Sequence, residues 1–534
     1  MLFLSVLCAG CGKADKTNNG SGGGQSIEKG KQVLRLGNGS EPEGLDPQIV
    51  TGVPEHFILA ALLEGLLGEN PKTLAPEPGV AERWEVSEDG REYTFHFRAN
   101  AKWTNGDAVK AGDFAYSYER MLTPEMATKY GYMLHVLKNA KGFNEGTIKD
   151  FSKVGVKAVN DRTLVLTLEE PTPYFLQLIN HYSWYPVHPP TIEKFGGMTQ
   201  RDSQWTQPKN FVGNGSFRLK EWKLNEHILV EKSPTYWDAA MVQLEKIYFL
   251  PITSAETEEK MFRDGQLHVT QTIPLTRIEH YQKKEPEVLR VDPYLGTYFY
   301  RVNVKHKALK DKRVRQALAM SINRYEITRF VMKAGQIPAY YMTPPDTAGY
   351  TSKAKFAFDP ARARQLLAEA GYPDGRGFPK IDIYYNTSEA HKQVAEALQQ
   401  MWKEILNIDI GLFNQEWKVY LDTVSKIKYD VARAGWIGDY NDPNTFLDMW
   451  LTGGGNNQTG WSNARYDRLI NEAGQGSDST ARFEKFQMAE AILLDEMPVI
   501  PIYFYVSLSL VKTNVRGWYP NILDHHPYKY IHLE

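Results

Sequence analysis

Hydrophobic positions change period along this chain, and the changes mark out its elements. Val33, Leu34 and Leu36 predict a short strand. Ser40 to Glu55 follows with Leu45-Asp46-Pro47 and Gly52-Val53-Pro54, the punctuation of an irregular loop, and His56 to Leu67 then predicts a helix. From Gly79 to Phe114 the period becomes two. Tyr93, Phe95 and Phe97 alternate with polar residues beyond an Asp89-Gly90 turn, which predicts a hairpin, and Trp84, Trp103 and Asn105-Gly106 continue it, with both tryptophans in the core. Val154 to Leu168 predicts two further strands around Asn160-Asp161. Phe211 to Trp237 predicts another antiparallel set, turning at Asn225-Glu226.

Farther along, Ile247 to Ile252 predicts a short buried strand, and Ser254 to Asp264 a helix ending at Gly265. Val291 to Asn303 alternates apolar and polar residues over one long strand. Asp359-Pro360 supplies an N-cap and first helical residue, and Gly371 with Pro373 closes that helix. Ile381 to Tyr384 predicts a strand, Thr387 or Ser388 caps a helix running to Leu406, and Leu412 to Trp417 leads into another helix. Strands alternating with helices here predict an α/β arrangement around a largely parallel sheet. No internal repeat interrupts the order.

Composition narrows the function classes. A chain of 534 residues builds two or three domains with real cores. Its net charge of −2 leaves no basic footprint, so no nucleic-acid partner is expected. Thirty tyrosines and twelve tryptophans suit polar, sequence-tolerant binding surfaces, although they also fill cores. Cys8 and Cys11 are the sole cysteines, so the remainder carries no disulfide and no cysteine metal site. No HExxH, GxSxG, P-loop or GxGxxG occurs, and the adjacent pair His525-His526 has no helical zinc spacing. No catalysis, metal or cofactor is expected, and a secreted peptidase is the disfavoured alternative.

The stretch from Tyr429 to Asn444, YDVARAGWIGDYNDPN, starts as a strand and breaks at Gly435 and Gly438. Within seven residues it presents a cation (Arg433), a flat apolar ring (Trp436) and an anion (Asp439), which together suit a zwitterion with an apolar middle. Read alone, the same residues also fit a strand end with Arg433 paired to Asp430 or Asp442, and with Asp439 capping Asn441.

RAGWIGDYNDP resembles the hallmark of the oligopeptide-binding receptors of peptide ABC importers, and Gly79 to Phe114 resembles the signature of solute-binding protein family 5. The resemblance runs from about Val33 to His532. It implies a two-lobed, periplasmic-binding-protein type II-like fold with an extra smaller domain and two hinge strands, Val291 to Asn303 and near Ile500 to Val506. The implied domains are 33–63, 190–294 and 507–534 (first), 64–189 (second) and 295–506 (third). The implied ligand is a short peptide with free termini. Asp439 would meet its amine; Arg433, His391 (in YNTSEAHK) and Lys333 would meet its carboxylate. Val53, Gly435 and Ile437 would offer backbone groups, and Trp417, Trp436, Tyr130 and Tyr294 would line side-chain pockets. Val424 stands where the best-studied members have arginine, Thr51 where they have glutamate, and Gly296 and Ile437 replace a cysteine pair. Relatives that carry dipeptides, cell-wall peptides, haem, nickel or pheromones keep other solutes and a signalling role open.

Met1 to Gly10 is apolar and ends in Cys-Ala-Gly before Cys11, which resembles a bacterial lipoprotein signal. Lipidation of Cys11, a flexible tether over residues 12–32, attachment to the cell membrane on its extracytoplasmic face, a monomeric state and an ABC permease partner are the matching expectations.

Overall fold

The computed structural model describes residues 31–474 and 478–534. Cys8, Cys11 and nearly all of the expected tether lie outside the described residues.

Two four-stranded sheets and one six-stranded sheet carry the architecture. In the first, Val33–Gly37 lies parallel to Lys246–Leu250, which continues antiparallel into His227–Lys232 and Phe217–Lys223. Asn225 makes the expected turn at φ 58°. The second sheet joins Ala81–Val86, Glu92–Phe97, Thr163–Thr167 and Val156–Asn160, all antiparallel. Its period-2 pattern buries Tyr93, Phe95 and Phe97, and Trp103 sits wholly in the core while Trp84 packs at its margin.

The six-stranded sheet corrects an expectation. It runs Ile337–Pro338, Val499–Leu510, Leu289–Val302, Val431–Ile437, Ile381–Asn386, Ile410–Gln415, and only the last two pairings are parallel. The long strands Leu289–Val302 and Val499–Leu510 pair antiparallel with each other and enter the sheet beside Val431–Ile437, so the sheet is mixed. These two strands also tie separate cores together. Leu289 and Leu510 pair beside the Phe262–Leu267–Tyr281 cluster, whereas Tyr300 and Ile500 pair within the Val314–Leu398–Trp402 cluster. Their register breaks between Pro293 and Thr297. A pair of strands shared by two cores, with a break between them, is a place where one body can turn on the other.

Helix ends follow local chemistry. The Ser254 side chain accepts from the Thr257 N–H at 3.3 Å and Asp359 from Arg362 at 2.9 Å, each at the expected start. Two boundaries move. The first helix is Val53–Leu62 rather than 56–67, because Pro54 fits the first turn and Leu67 opens a strand. Ser388 occupies the N-cap of Glu389–Leu406 but makes no side-chain cap bond, and the Thr387 hydroxyl turns instead to the next strand at Asn414 and Gln415.

Candidate ligand-binding cleft

Val431–Ile437 is paired along its whole length on one side, from Val302↔Val431 to Gly296↔Ile437. On the other side Ile381–Asn386 pairs only with Val431 and Ala432. From Arg433 onward that edge is open. The Gly438 N–H donates to the Leu295 carbonyl at 2.7 Å, which fixes the alternation: Gly435 and Ile437 turn their N–H and C=O toward the open edge. The Arg433 carbonyl, of the same parity, already accepts the Tyr420 hydroxyl there. A Cβ on Gly435 would come 2.5 Å from the Tyr505 hydroxyl, so glycine is what lets that face stay close. Gly296 and Ile437 stand directly opposite each other, with the Ile437 side chain filling the space over Gly296.

Asp439 lies just past the strand. One carboxylate oxygen accepts the Thr445 hydroxyl at 3.2 Å and the other lies 3.3 Å from His181 Nε2. Burial pulls His181 down to about 3, so the imidazole beside Asp439 is neutral. Burial pushes Asp439 itself up to about 7. The carboxyl is therefore enclosed without a cation in contact with it; the imidazole of His525, raised against its burial by its pairing with Glu69, acts on it only through space. Asp439 does not cap Asn441, whose N–H donates to Gln177.

Arg433 is the converse case. Its guanidinium donates to the Tyr505 hydroxyl at 2.8 Å and the Asn386 amide oxygen at 3.3 Å, lies over the Tyr298 ring and leaves Nε unpartnered. Neither suggested carboxylate reaches it: Asp442 pairs with Arg482 at 2.9 Å, and Asp430 accepts from the Asp382 N–H. Burial opposes its charge, but the surrounding tyrosine hydroxyls of Tyr505, Tyr298 and Tyr420 outweigh that and hold its pKa above the ordinary value.

His391 belongs to the same group, its ring 5.6 Å from that of Tyr298. It is not a surface cation. Burial, then the charge of Arg433, hold it well below its ordinary pKa, and its buried Nδ1 has no partner. Lys333 is not brought to this group; it is exposed at the end of the Ile327–Met332 turn, where its charge acts on Glu279.

Val53, Tyr130, Tyr294, Gly435, Trp436 and Ile437 line one pocket together with Asp439. Val53 supplies the first residue of its helix, whose early N–H groups have no intrahelical acceptor. Tyr130 stands 6.1 Å from Trp436, ring to ring. Trp417 opens the Trp417–Ser425 helix and reaches across to Gly52, where Glu55 is buried and pushed up to about 7 by that burial. Thr445, His181, Tyr505 and His525 complete the surroundings and had no signal in the sequence; Asn386, inside YNTS, had one. Among the described residues, no group of three His, Cys, Asp or Glu is placed to hold a metal, and no helix is long and apolar enough to cross a membrane.

The family model for bacterial extracellular solute-binding proteins, family 5 (middle), matches residues 75–458. The chain belongs to that family. Its members bind solutes and are not enzymes. The family 5 chain is 40% identical over 501 residues to the periplasmic oligopeptide-binding protein OppA of Salmonella typhimurium, covering 91% of this chain and 90% of that one. The murein tripeptide-binding protein MppA of Escherichia coli superposes at a TM-score of 0.90 with 35% identity, covering 94% and 99% of the two chains. OppA of Haemophilus influenzae in complex with the peptide RPPGFSPFR superposes at 0.88, with 35% identity and coverage of 95% and 100%. These establish the two-lobed, type II periplasmic-binding fold. An unliganded open form of MppA superposes at only 0.62, with 34% identity and coverage of 95% and 98%. The lobes here thus stand as in the peptide complex.

Proposed function

We propose that this family 5 chain is a lipid-anchored, extracytoplasmic receptor that closes its lobes on a short peptide with free termini and hands it to an ABC permease. The carrying observation is an open strand edge with an enclosed, unpaired carboxyl past one end and a half-buried guanidinium lacking any carboxylate at the other. A lone buried charge is costly, so each group implies a counter-charge that arrives with the ligand. Six residues of strand span roughly 20 Å, which with side-chain reach subtracted suits about three to five extended residues. The peptide runs antiparallel to Val431–Ile437, amine at Asp439 and carboxylate at Arg433, with His391 gaining a proton as the carboxylate approaches. Gly435 and Ile437 give sequence-independent main-chain pairing, and Val53 flanks the peptide from the other lobe.

The relatives named for oligopeptides and murein tripeptide support peptide as the solute class. The domain limits 33–63, 190–294 and 507–534, 64–189, and 295–506 belong to this reading, as do the anchor at Cys11, the tether, the permease and a monomeric state. Lys333 would serve only a peptide reaching far beyond Arg433.

Calorimetry tests the reading. The protein is unfolded and refolded to remove cargo, then titrated with tri- to pentapeptides, free and N-acetylated. Tight binding abolished by acetylation is expected. Binding indifferent to acetylation would remove Asp439 from the amine role, and no binding to either set would remove peptides as the solute.

A further inference from the structure

Buried arginines in this protein divide into two kinds. Arg120 meets Asp46 and Gln48, Arg482 meets Asp442, Arg315 donates to the carbonyls of Leu309, Lys310 and Glu496, and Arg324 to those of Ala319, Ile322 and Pro501. Each is held by several hydrogen bonds or an ion pair within the fold, with Arg324 Nη2 alone left over. Arg301 is not. It is 8% exposed, its Nε is buried without a partner, and among the described residues it makes no hydrogen bond or ion pair. Its guanidinium carbon lies 5.5 Å from the centre of the Phe299 ring. Burial draws its pKa down, with Tyr429 and Tyr420 acting weakly in the other direction. A guanidinium left largely buried and unpaired is unfavourable unless something completes it.

Register shows where that something would come from. Arg301 stands opposite Ala432, and Phe299 opposite Ala434, while Thr297 faces Trp436. Directly opposed residues share a sheet face, so Arg301, Ala432, Ala434 and Trp436 lie on one face. Tyr298, Tyr300, Arg433 and Gly435 lie on the other. A peptide added to the open edge at Gly435 and Ile437 turns alternate side chains to the two faces. Those on the first face enter the space beside Tyr130 and Trp436, and Tyr130 is near enough to Arg301 for the two to interact electrostatically.

We propose that Arg301 is a specificity-determining residue that takes the carboxylate of an aspartate or glutamate side chain at an internal position of the bound peptide. The proposal rests on the peptide reading of the cleft. A charge-assisted contact to a buried guanidinium favours glutamate over glutamine by about tenfold or more, and disfavours lysine further through like-charge repulsion.

The full chain, stripped of cargo by refolding, is titrated with Ala-Ala-Ala, Ala-Glu-Ala, Ala-Gln-Ala and Ala-Lys-Ala, each as free acid and C-terminal amide. Wild type is expected to bind the glutamate peptide at least tenfold more tightly than the lysine peptide. Arg301→Met is expected to bind Ala-Ala-Ala as wild type does and to lose the discrimination, and Arg301→Lys to keep part of it. Equal binding of the glutamate and lysine peptides by wild type overturns the assignment, as does discrimination that survives in Arg301→Met. If Arg301→Met weakens every free acid but no amide, Arg301 holds the terminal carboxylate instead and the side-chain role fails. If none of the peptides binds wild type, the peptide reading itself fails. Thermal melts establish that each variant folds, and if the methionine variant does not, the lysine variant decides by the same comparison.

Discussion

Arg433 and Asp439 stand six residues apart, one within the strand and one just past its end, and neither is in contact with a side chain of opposite charge. Two other enclosed arginines do meet carboxylates, Arg482 with Asp442 and Arg120 with Asp46. Two complementary groups left open at either end of an unpaired strand edge describe a ligand by its own charges.

The amine end should make binding pH-dependent. Asp439, pushed up to about 7 by burial while the lobes are closed, is protonated in the closed, unliganded cleft below that pH and must ionise to hold an ammonium group. Peptide lowers its pKa, so the affinity is full above about pH 7 and is lost as pH falls, by up to about tenfold per unit. His391 acts in the opposite direction, because a bound carboxylate raises its pKa; Asp439→Asn isolates that contribution. Titrations from pH 8 to 5.5 in buffers of different ionisation enthalpy measure both affinity and proton release. A flat profile would sink the assignment of Asp439.

The same carboxyl should cost the closed, unliganded protein stability. Its folded pKa lies above the unfolded value of 3.8, so the cost is absent below about pH 4, grows as pH rises and is complete above about 7. Asp439→Asn removes that cost. The variant is expected to melt a few degrees higher than wild type at pH 8, by less at pH 5, while losing peptide affinity by roughly 10²–10³. A lower melting temperature at pH 8 would mean that the carboxylate already has a partner in the fold.

At the other end, Arg433→Met should weaken free-acid tripeptides by about 10²-fold or more and leave their C-terminal amides nearly unaffected. Tyr505→Phe, which removes the hydroxyl that accepts from the Arg433 guanidinium at 2.8 Å, should produce a smaller loss of the same selectivity. Equal effects on acid and amide would place the terminal carboxylate elsewhere.

Gly435 tests the close approach itself. The Cβ of Gly435→Ala falls 2.5 Å from the Tyr505 hydroxyl and 3.3 Å from its ring, so the tyrosine must shift and take Arg433 with it. A destabilisation of about 1–3 kcal/mol in denaturant melts and loss of free-acid preference are expected. Adding Tyr505→Phe should recover part of the stability, since the shortest contact goes with the hydroxyl. No recovery would show that the ring, or the backbone, sets the limit.

Much of this was written locally. Turn chemistry at Asp89-Gly90 and Asn225, caps at Ser254 and Asp359, and the alternation through Tyr93, Phe95 and Phe97 act within a few residues, and the chain obeys them. The cleft motif was legible for the same reason: Arg433, Gly435 and Ile437 share a face through the period of one strand, Asp439 follows it by two residues, and neighbouring sequence is enough to place them. Long-range pairing was not. That the six-stranded sheet is mixed depends on two segments about 200 residues apart meeting as Leu289–Val302 and Val499–Leu510, and no local period encodes that partnership. His181, Thr445 and Tyr505 reach the two charges from three other parts of the chain, and the environment they build moves Asp439 to about 7. His391 reads as a cation in the first turn of a helix; only burial beside Arg433 makes it neutral. Arg301 reads as one more polar residue of an alternating strand. Residue type and spacing follow from the chain, whereas desolvation and the absence of a partner are properties of the packed interior, and at Asp439, Arg433 and Arg301 those properties set the chemistry.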